Sequence, residues 1–215
     1  IAPLPRGAKV LYWPRWHDQT IQQGVRDATD KAVALVAEAC GLDLTIGAPP
    51  EIDVHATFRV FVALETDLSG MRKLLSEQPV AVSDAVTALL AEKRPFEDAT
   101  DAITARKAFV DEIVKIMSHY DFILTPTLSV TAFAKDEDGP SMIDGKIIAS
   151  YEWCPFTSPF NLTGQPAASV PCGLVDGLPV GLQIVGPHLG DSQVLSAAAA
   201  FEAVFPKLGR PPVHA

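Results

Sequence analysis

Two short runs in this chain lack the alternation of a half-exposed strand, and each stops at a proline: Val10-Leu11-Tyr12-Trp13-Pro14 and Phe122-Ile123-Leu124-Thr125-Pro126. A strand that is apolar on successive residues is covered on both faces, the condition of a sheet sandwiched between helices. Proline cannot extend the ladder, so each run ends where it does. Between the two runs lie stretches of helical periodicity and one more strand pattern, Leu42 to Ile46, which leads into Gly47, Pro49 and Pro50. Ala167–Val170 and Val180–Val185 read as two further strands, joined by the turn-rich Gly173 to Pro179. Helices and strands that alternate in this way predict an α/β fold with a mostly parallel or mixed sheet. If the first two strands are parallel neighbours, their crossover is right-handed.

The helices are marked by spacing and by caps. Ile21, Val25, Ala28, Ala32 and Leu35 form an amphipathic stripe, with Thr20 and Gln23 at capping-box spacing and Gly41 as a left-handed stop. Val54, Phe58, Phe61 and Val62 predict a helix from about 53 to 76 with a break at Gly70. Ser83 caps a further helix that ends before Pro95, and Ile103, Val110, Ile113 and Met117 mark one face of the next. Asp191 is expected to cap a last helix carrying Val194, Ala198, Phe201 and Phe205.

Residues 128–165 have little periodicity, and a connection that long inside a domain is usually a functional loop or a linker. Trp153, Phe156 and Phe160, interleaved with Pro155 and Pro159, are too apolar for a solvated linker. That half is expected to wall a pocket, while Lys135 to Gly139 is expected to be a solvated turn.

Charge and motifs exclude several functions. Seventeen Lys and Arg against 26 Asp and Glu give a net charge of −9, so a general phosphate-binding surface for nucleic acid is not expected. No run approaches about 18 apolar residues, so no membrane span is expected. Ile1 to Lys9 lacks a basic region followed by an apolar stretch, and a cytoplasmic location is the expectation. Cys40, Cys154 and Cys172 are odd in number and unpaired in spacing, and the five histidines are scattered, so no zinc frame or other metal site is indicated. Phosphate-cradling glycine loops and the G-x-S-x-G elbow are absent, so no cofactor and no ordinary α/β-hydrolase chemistry is expected. Asn161, the one asparagine of the chain, sits before Gly164 where local hydrogen bonding to backbone is expected. Motifs and spacing by themselves lead to an α/β domain with a loop-lined apolar pocket.

Three blocks carry more. Tyr120 to Thr127 reads Y-D-F-I-L-T-P-T, Ser158 to Gly173 reads S-P-F-N-L-T-G-Q-P-A-A-S-V-P-C-G, and Gly177 to Gly186 reads G-L-P-V-G-L-Q-I-V-G, followed by Asp191, Val194-Leu195 and Glu202. In order and spacing these resemble the C-terminal part of amidase signature enzymes, and residues 1–60 are similar more loosely. The resemblance implies an α/β/α fold and hydrolysis of a carboxylic amide to acid plus ammonia or amine. It also implies a Lys, a serine in a cis peptide bond and a nucleophilic serine, the neutral lysine taking a proton through the bridging hydroxyl. That signature needs tandem serines flanked by glycines, and the chain contains no Ser-Ser and no Gly-Gly pair. No residue here inherits a catalytic role.

The expectation is therefore that residues 1–215 are the C-terminal half of one amidase signature domain, inactive alone and partnered by the signature half. By position, Thr127, Cys154, Thr157, Phe160 and Asn161 are the substrate-binding candidates. The glutamine-dependent amidotransferases of the family carry an aspartate for the substrate's amino group where this chain has Cys154. A thiol does not hold an ammonium, so an apolar or aryl amide is expected in place of glutamine. Half a sheet leaves an apolar edge, so self-association into a homo-oligomer is also expected. Two alternatives stand beside this: a binding module that keeps the pocket without the chemistry, and a Cys154 nucleophile with His119 or His188 as base.

Overall fold

The computed structural model describes residues 2–135, 137–149, 152–205 and 207–208. In chain order the elements are β1 (Lys9–Tyr12), α1 (Gln23–Cys40), β2 (Asp43–Ile46), α2 (Val54–Glu65), α3 (Leu68–Glu77), α4 (Asp84–Ala91) and α5 (Phe96–Met117). They continue with β3 (Phe122–Pro126), β4 (Met142–Ile143), β5 (Lys146–Ile147), α6 (Ser158–Thr163), β6 (Ala167–Val175), β7 (Leu178–Val185) and α7 (Asp191–Val204).

Five strands form one sheet in the order β2-β1-β3-β7-β6. β1 pairs parallel with both β2 and β3, while β7 runs antiparallel to both β3 and β6. The sheet is mixed, and β1 and β3, the two proline-stopped runs, are adjacent within it. Alternation along them feeds two cores. Val10, Tyr12, Phe122 and Leu124 face α1 and α7, together with Val170, Leu182 and Ile184. Leu11, Trp13, Ile123 and Val185 face the opposite way, against Val54 of α2, Phe109 and Ile113 of α5 and Phe160 of α6. Helices thus cover both faces, which is the reason the strands are apolar throughout.

Several helices bury a face rotated from the expected one. On α1 the buried residues are Val25, Thr29, Ala32, Val33 and Val36, and Leu35 is largely exposed. Thr29 enters the core because its hydroxyl bonds the Val25 carbonyl one turn back at 3.0 Å. On α5 the face is Ala102, Phe109 and Ile113, while Ile103 is exposed. The break expected at Gly70 falls at Thr66–Asp67 instead. The Asp67 carboxylate accepts the Gly70 N–H at 2.8 Å and starts α3 there. The Thr20/Gln23 capping box does not form: the N-cap of α1 is Gln22, without a side-chain cap of its own. Asp191 is the first residue of α7 and its N-cap is Gly190.

β6 and β7 are longer than expected and are joined by Asp176-Gly177, with φ values of 51° and 79°. Two successive positive φ values are the signature of the hairpin turn that Asp-Gly favours.

Candidate functional site

The long connection from β3 to β6 is held to the sheet at a few defined points. Gln183, on β7, is 5% exposed, and its amide donates to Thr125 Oγ1 and to the Phe156 carbonyl, each at 2.9 Å. One buried side chain therefore fixes the 152–157 stretch over the middle of the sheet. Ser129 N–H reaches the Trp153 carbonyl at 3.0 Å, and the Ser129 carbonyl accepts Gln22 N–H at 2.8 Å. Within the loop, the β4-β5 hairpin sends Asp144 to the start of α1, where its carboxylate accepts the Gln23 N–H at 2.6 Å. The missing local cap of α1 is thus supplied from 121 residues away.

Next comes α6. Thr157 precedes it, Pro159 stands in its first turn, and Gly164 ends it in the left-handed conformation. Its last carbonyls are met by Arg106, whose Nε donates to Leu162 O at 2.7 Å, and by His188 Nε2, 3.1 Å from Thr163 O. A cation at a helix C-terminus complements the carbonyl dipoles there. The rings beneath form one aromatic cluster: Trp13 stacks on Phe160 at 6.3 Å, and Trp16 meets Phe109 and Phe156 at 6.4 and 6.5 Å.

The five candidate residues lie in four different settings. Phe160 is turned into that cluster and is 3% exposed. Cys154 and Thr157 are half-buried, and the Thr157 hydroxyl donates to the Cys154 carbonyl at 3.5 Å. Burial raises the pKa of the Cys154 thiol, the reverse of what a nucleophilic cysteine needs. Asn161 is exposed, and among the described residues its side chain makes no hydrogen bond, so the local backbone bonding expected of it is not formed. Thr127, just past β3, donates its N–H to Gly181 O at 2.9 Å and pairs its hydroxyl with Ser169 Oγ at 2.6 Å.

Ser169 is not among the residues that the sequence singles out. Thr127 and Ser169 come from strands on either side of β7 and meet above Gly181. A Cβ at Gly181 would lie 2.5 Å from Ser169 Oγ and 2.7 Å from Thr127 Oγ1, so only glycine lets the hydroxyls join. Residue spacing holds no sign of this pair, because it exists only once the three-strand register is set.

A second pair is equally hidden in the sequence: His55 Nδ1 lies 3.1 Å from Ser158 Oγ, 103 residues away in the chain. Burial lowers the pKa of His55 and keeps its ring neutral. Among the described residues its Nε2 is buried without a partner, so none of them orients the ring as a third group of a nucleophile–base pair would. Ser158 itself is 6% exposed. The pair joins α2 to α6. His119 and His188 both engage backbone carbonyls, of Lys115 and Thr163 respectively.

Two of the clefts among the described residues stand out. One, of about 340 Å³, lies between α1 and β2 and includes Arg15, Arg26 and Ile46. The other, of about 350 Å³, lies among α2 to α5 and includes Leu64, Leu68 and Phe96. Neither is lined by a sequence candidate. Among the described residues there is no cluster of three His, Cys, Asp or Glu that could hold a metal ion. No helix among them is long and apolar enough to cross a membrane. Among the described residues the geometry provides neutral hydroxyls and amides around the end of β3, and no assembled nucleophile and base.

Comparison with known proteins places this arrangement. The Amidase family model matches residues 2–195. The A subunit of glutamyl-tRNA(Gln) amidotransferase from Streptococcus pyogenes serotype M12 is 41% identical over 99 residues, covering 46% of this chain and 19% of that protein. A bacterial aryl acylamidase of the amidase signature family superposes with a TM-score of 0.78 at 27% identity, over 93% of this chain and 44% of its own. The corresponding glutamyl-tRNA(Gln) amidotransferase chain of Thermotoga maritima gives 0.66 at 26% identity, over 94% of this chain and 45% of its own. The chain spans less than half the length of these solved relatives. With the family model matched over nine-tenths of its residues, the chain belongs to the amidase signature family.

Proposed function

We propose that this chain is the C-terminal half of an amidase signature hydrolase, which converts a carboxylic amide to acid plus ammonia or amine. The observation that carries the reading is the family match over residues 2–195 in a chain without a single Ser-Ser or Gly-Gly pair. The match brings the amide chemistry. The missing pairs leave the nucleophile, its lysine and the oxyanion-binding glycines to another stretch of polypeptide. This half completes the sheet and walls the pocket, is inactive alone, and works in the cytoplasm with the signature half as its partner.

Thr127, Cys154, Thr157, Phe160 and Asn161 are the proposed pocket residues, with Phe160 acting from beneath as the packing that fixes α6. Cys154 offers a thiol that burial keeps neutral, in a position suited to an apolar group and not to an ammonium. The substrate in this reading is an apolar or aryl amide. The likeness to an aryl acylamidase supports that choice, while the amidotransferase relatives are the reason the choice has to be made. Reading the gene upstream of Ile1 tests the assignment. A glycine-rich stretch with tandem serines, preceded by a lysine, is the expected result; an unrelated domain there contradicts it and leaves a binding module.

A further inference from the structure

Tyr12 ends β1 and Ile46 ends β2, and because the strands are parallel their carboxyl ends lie on one side of the sheet. Small ligands of α/β sheets sit in crevices outside such ends. The cleft of about 340 Å³ opens at this point, against α1. Its size falls at the lower end of the roughly 300–1,000 Å³ that small-molecule sites occupy. Part of its lining is apolar, from Ala34, Leu44 and Ile46. Ile46 is 68% exposed, and a side chain of that size left in water gains when a ligand covers it.

Three charged groups line the same cleft: Arg15 from the segment after β1, and Arg26 and Asp30 from α1. Asp30 is already committed, since its carboxylate accepts the Tyr12 hydroxyl at 2.8 Å. Arg26 Nε lies 3.6 Å from Asp30, an ion pair too long for a hydrogen bond. Arg15 is exposed and makes no hydrogen bond or ion pair among the described residues. Two guanidiniums thus come together beside one engaged carboxylate, in a chain whose net charge is −9. A planar guanidinium matches the two oxygens of a carboxylate, as the point charge of an ammonium does not.

We propose that this cleft binds a small organic acid. Arg15 and Arg26 take its carboxylate, and its aryl or branched aliphatic body lies against Ala34, Leu44 and Ile46. The inference goes beyond the amidase reading and does not rest on it: Tyr12 and α1 lie on one side of the sheet, and Phe160 packs against the other. An inorganic anion is a poorer occupant, because nothing on it covers Ile46. A neutral aromatic molecule is poorer too, because it leaves both guanidiniums without an anion.

The test is titration calorimetry on the whole product of the gene, with benzoate as the probe and benzyl alcohol and inorganic phosphate as comparisons. Benzoate is expected to saturate, and each comparison to bind about tenfold more weakly or less. Arg15→Gln and Arg26→Gln are each expected to weaken benzoate about tenfold, and Ile46→Thr about threefold. Arg15 and Ile46 are exposed, so their variants are expected to keep the urea midpoint of the parent, which separates lost binding from lost folding. A benzoate signal that does not saturate below about 0.1 M, where salt already screens surface charge, overturns the inference. Phosphate binding as tightly as benzoate overturns it too, because the cleft then takes any anion. Benzoate affinity unchanged in a folded Arg15→Gln variant places the acid elsewhere and does the same.

Discussion

Gln183 is the side chain from which the 152–157 loop hangs. Replacing it by leucine leaves the Phe156 carbonyl and the Thr125 hydroxyl without their donor in a buried place. The expected loss is about 1–3 kcal/mol, read as a lower urea midpoint at unchanged slope. Phe160→Ala empties part of the aromatic cluster and is expected to cost about 3–5 kcal/mol in the same measurement. Three groups shifted by burial set the pH range. His55 has a lowered folded pKa, so the unfolded chain binds a proton that the native one refuses. Stability is then full above the ordinary histidine value and falls as pH drops through it. Cys172 is pushed up to about 12 by burial, so its contribution is full below the ordinary thiol range and is lost from about pH 9 towards 12. Tyr12 is raised in the same sense and adds to the alkaline loss. Melting curves from pH 5 to 11 are expected to show a plateau between those limits, with His55→Gln flattening the acid side and Cys172→Ala the alkaline side.

At the level of elements, the Asp144–Gln23 bond makes the β4-β5 hairpin and α1 dependent on each other. Asp144→Ala is expected to destabilise by about 1 kcal/mol, the value of an N-cap, and to speed exchange at the Gln23 amide. That cap shows where sequence reading stops. Local signals held up where the partner is local: Ser83 caps α4, Gly41 closes α1, and the strands at β1 and β3 are bounded by their prolines. α1 carries no local cap, because its first amide is met by a carboxylate 121 residues distant, which no spacing rule detects. Helix faces slipped for a related reason. Which stripe of α1 is buried was decided by a threonine that satisfies itself, and apolar spacing put Leu35 on the wrong side. The site follows the same division. Thr127 stands out in sequence, but its partner Ser169 emerges only from the pairing of three strands. Gly181→Ala tests that pairing: the added methyl parts the two hydroxyls and is expected to cost about 1–3 kcal/mol by overpacking.

For the whole molecule, the two cores explain how the chain holds its sheet, and the family match places the chain in the amidase signature family. The described residues offer a seated loop, a capped short helix and a hydroxyl pair at the end of β3, with all three cysteines shifted towards the inert thiol. In the proposed reading those are supporting parts, and another stretch of polypeptide brings the nucleophile. The central claim is that this chain shapes an amidase pocket and does not perform the chemistry. The most direct measurement is turnover of a simple aryl amide at stoichiometric protein, first with the 215-residue chain and then after adding a signature half that carries the tandem serines. The account predicts no acid released by the chain alone, and release once the second polypeptide is present. Steady turnover by the chain alone, abolished by Cys154→Ala, would contradict it and place the catalytic group within these residues.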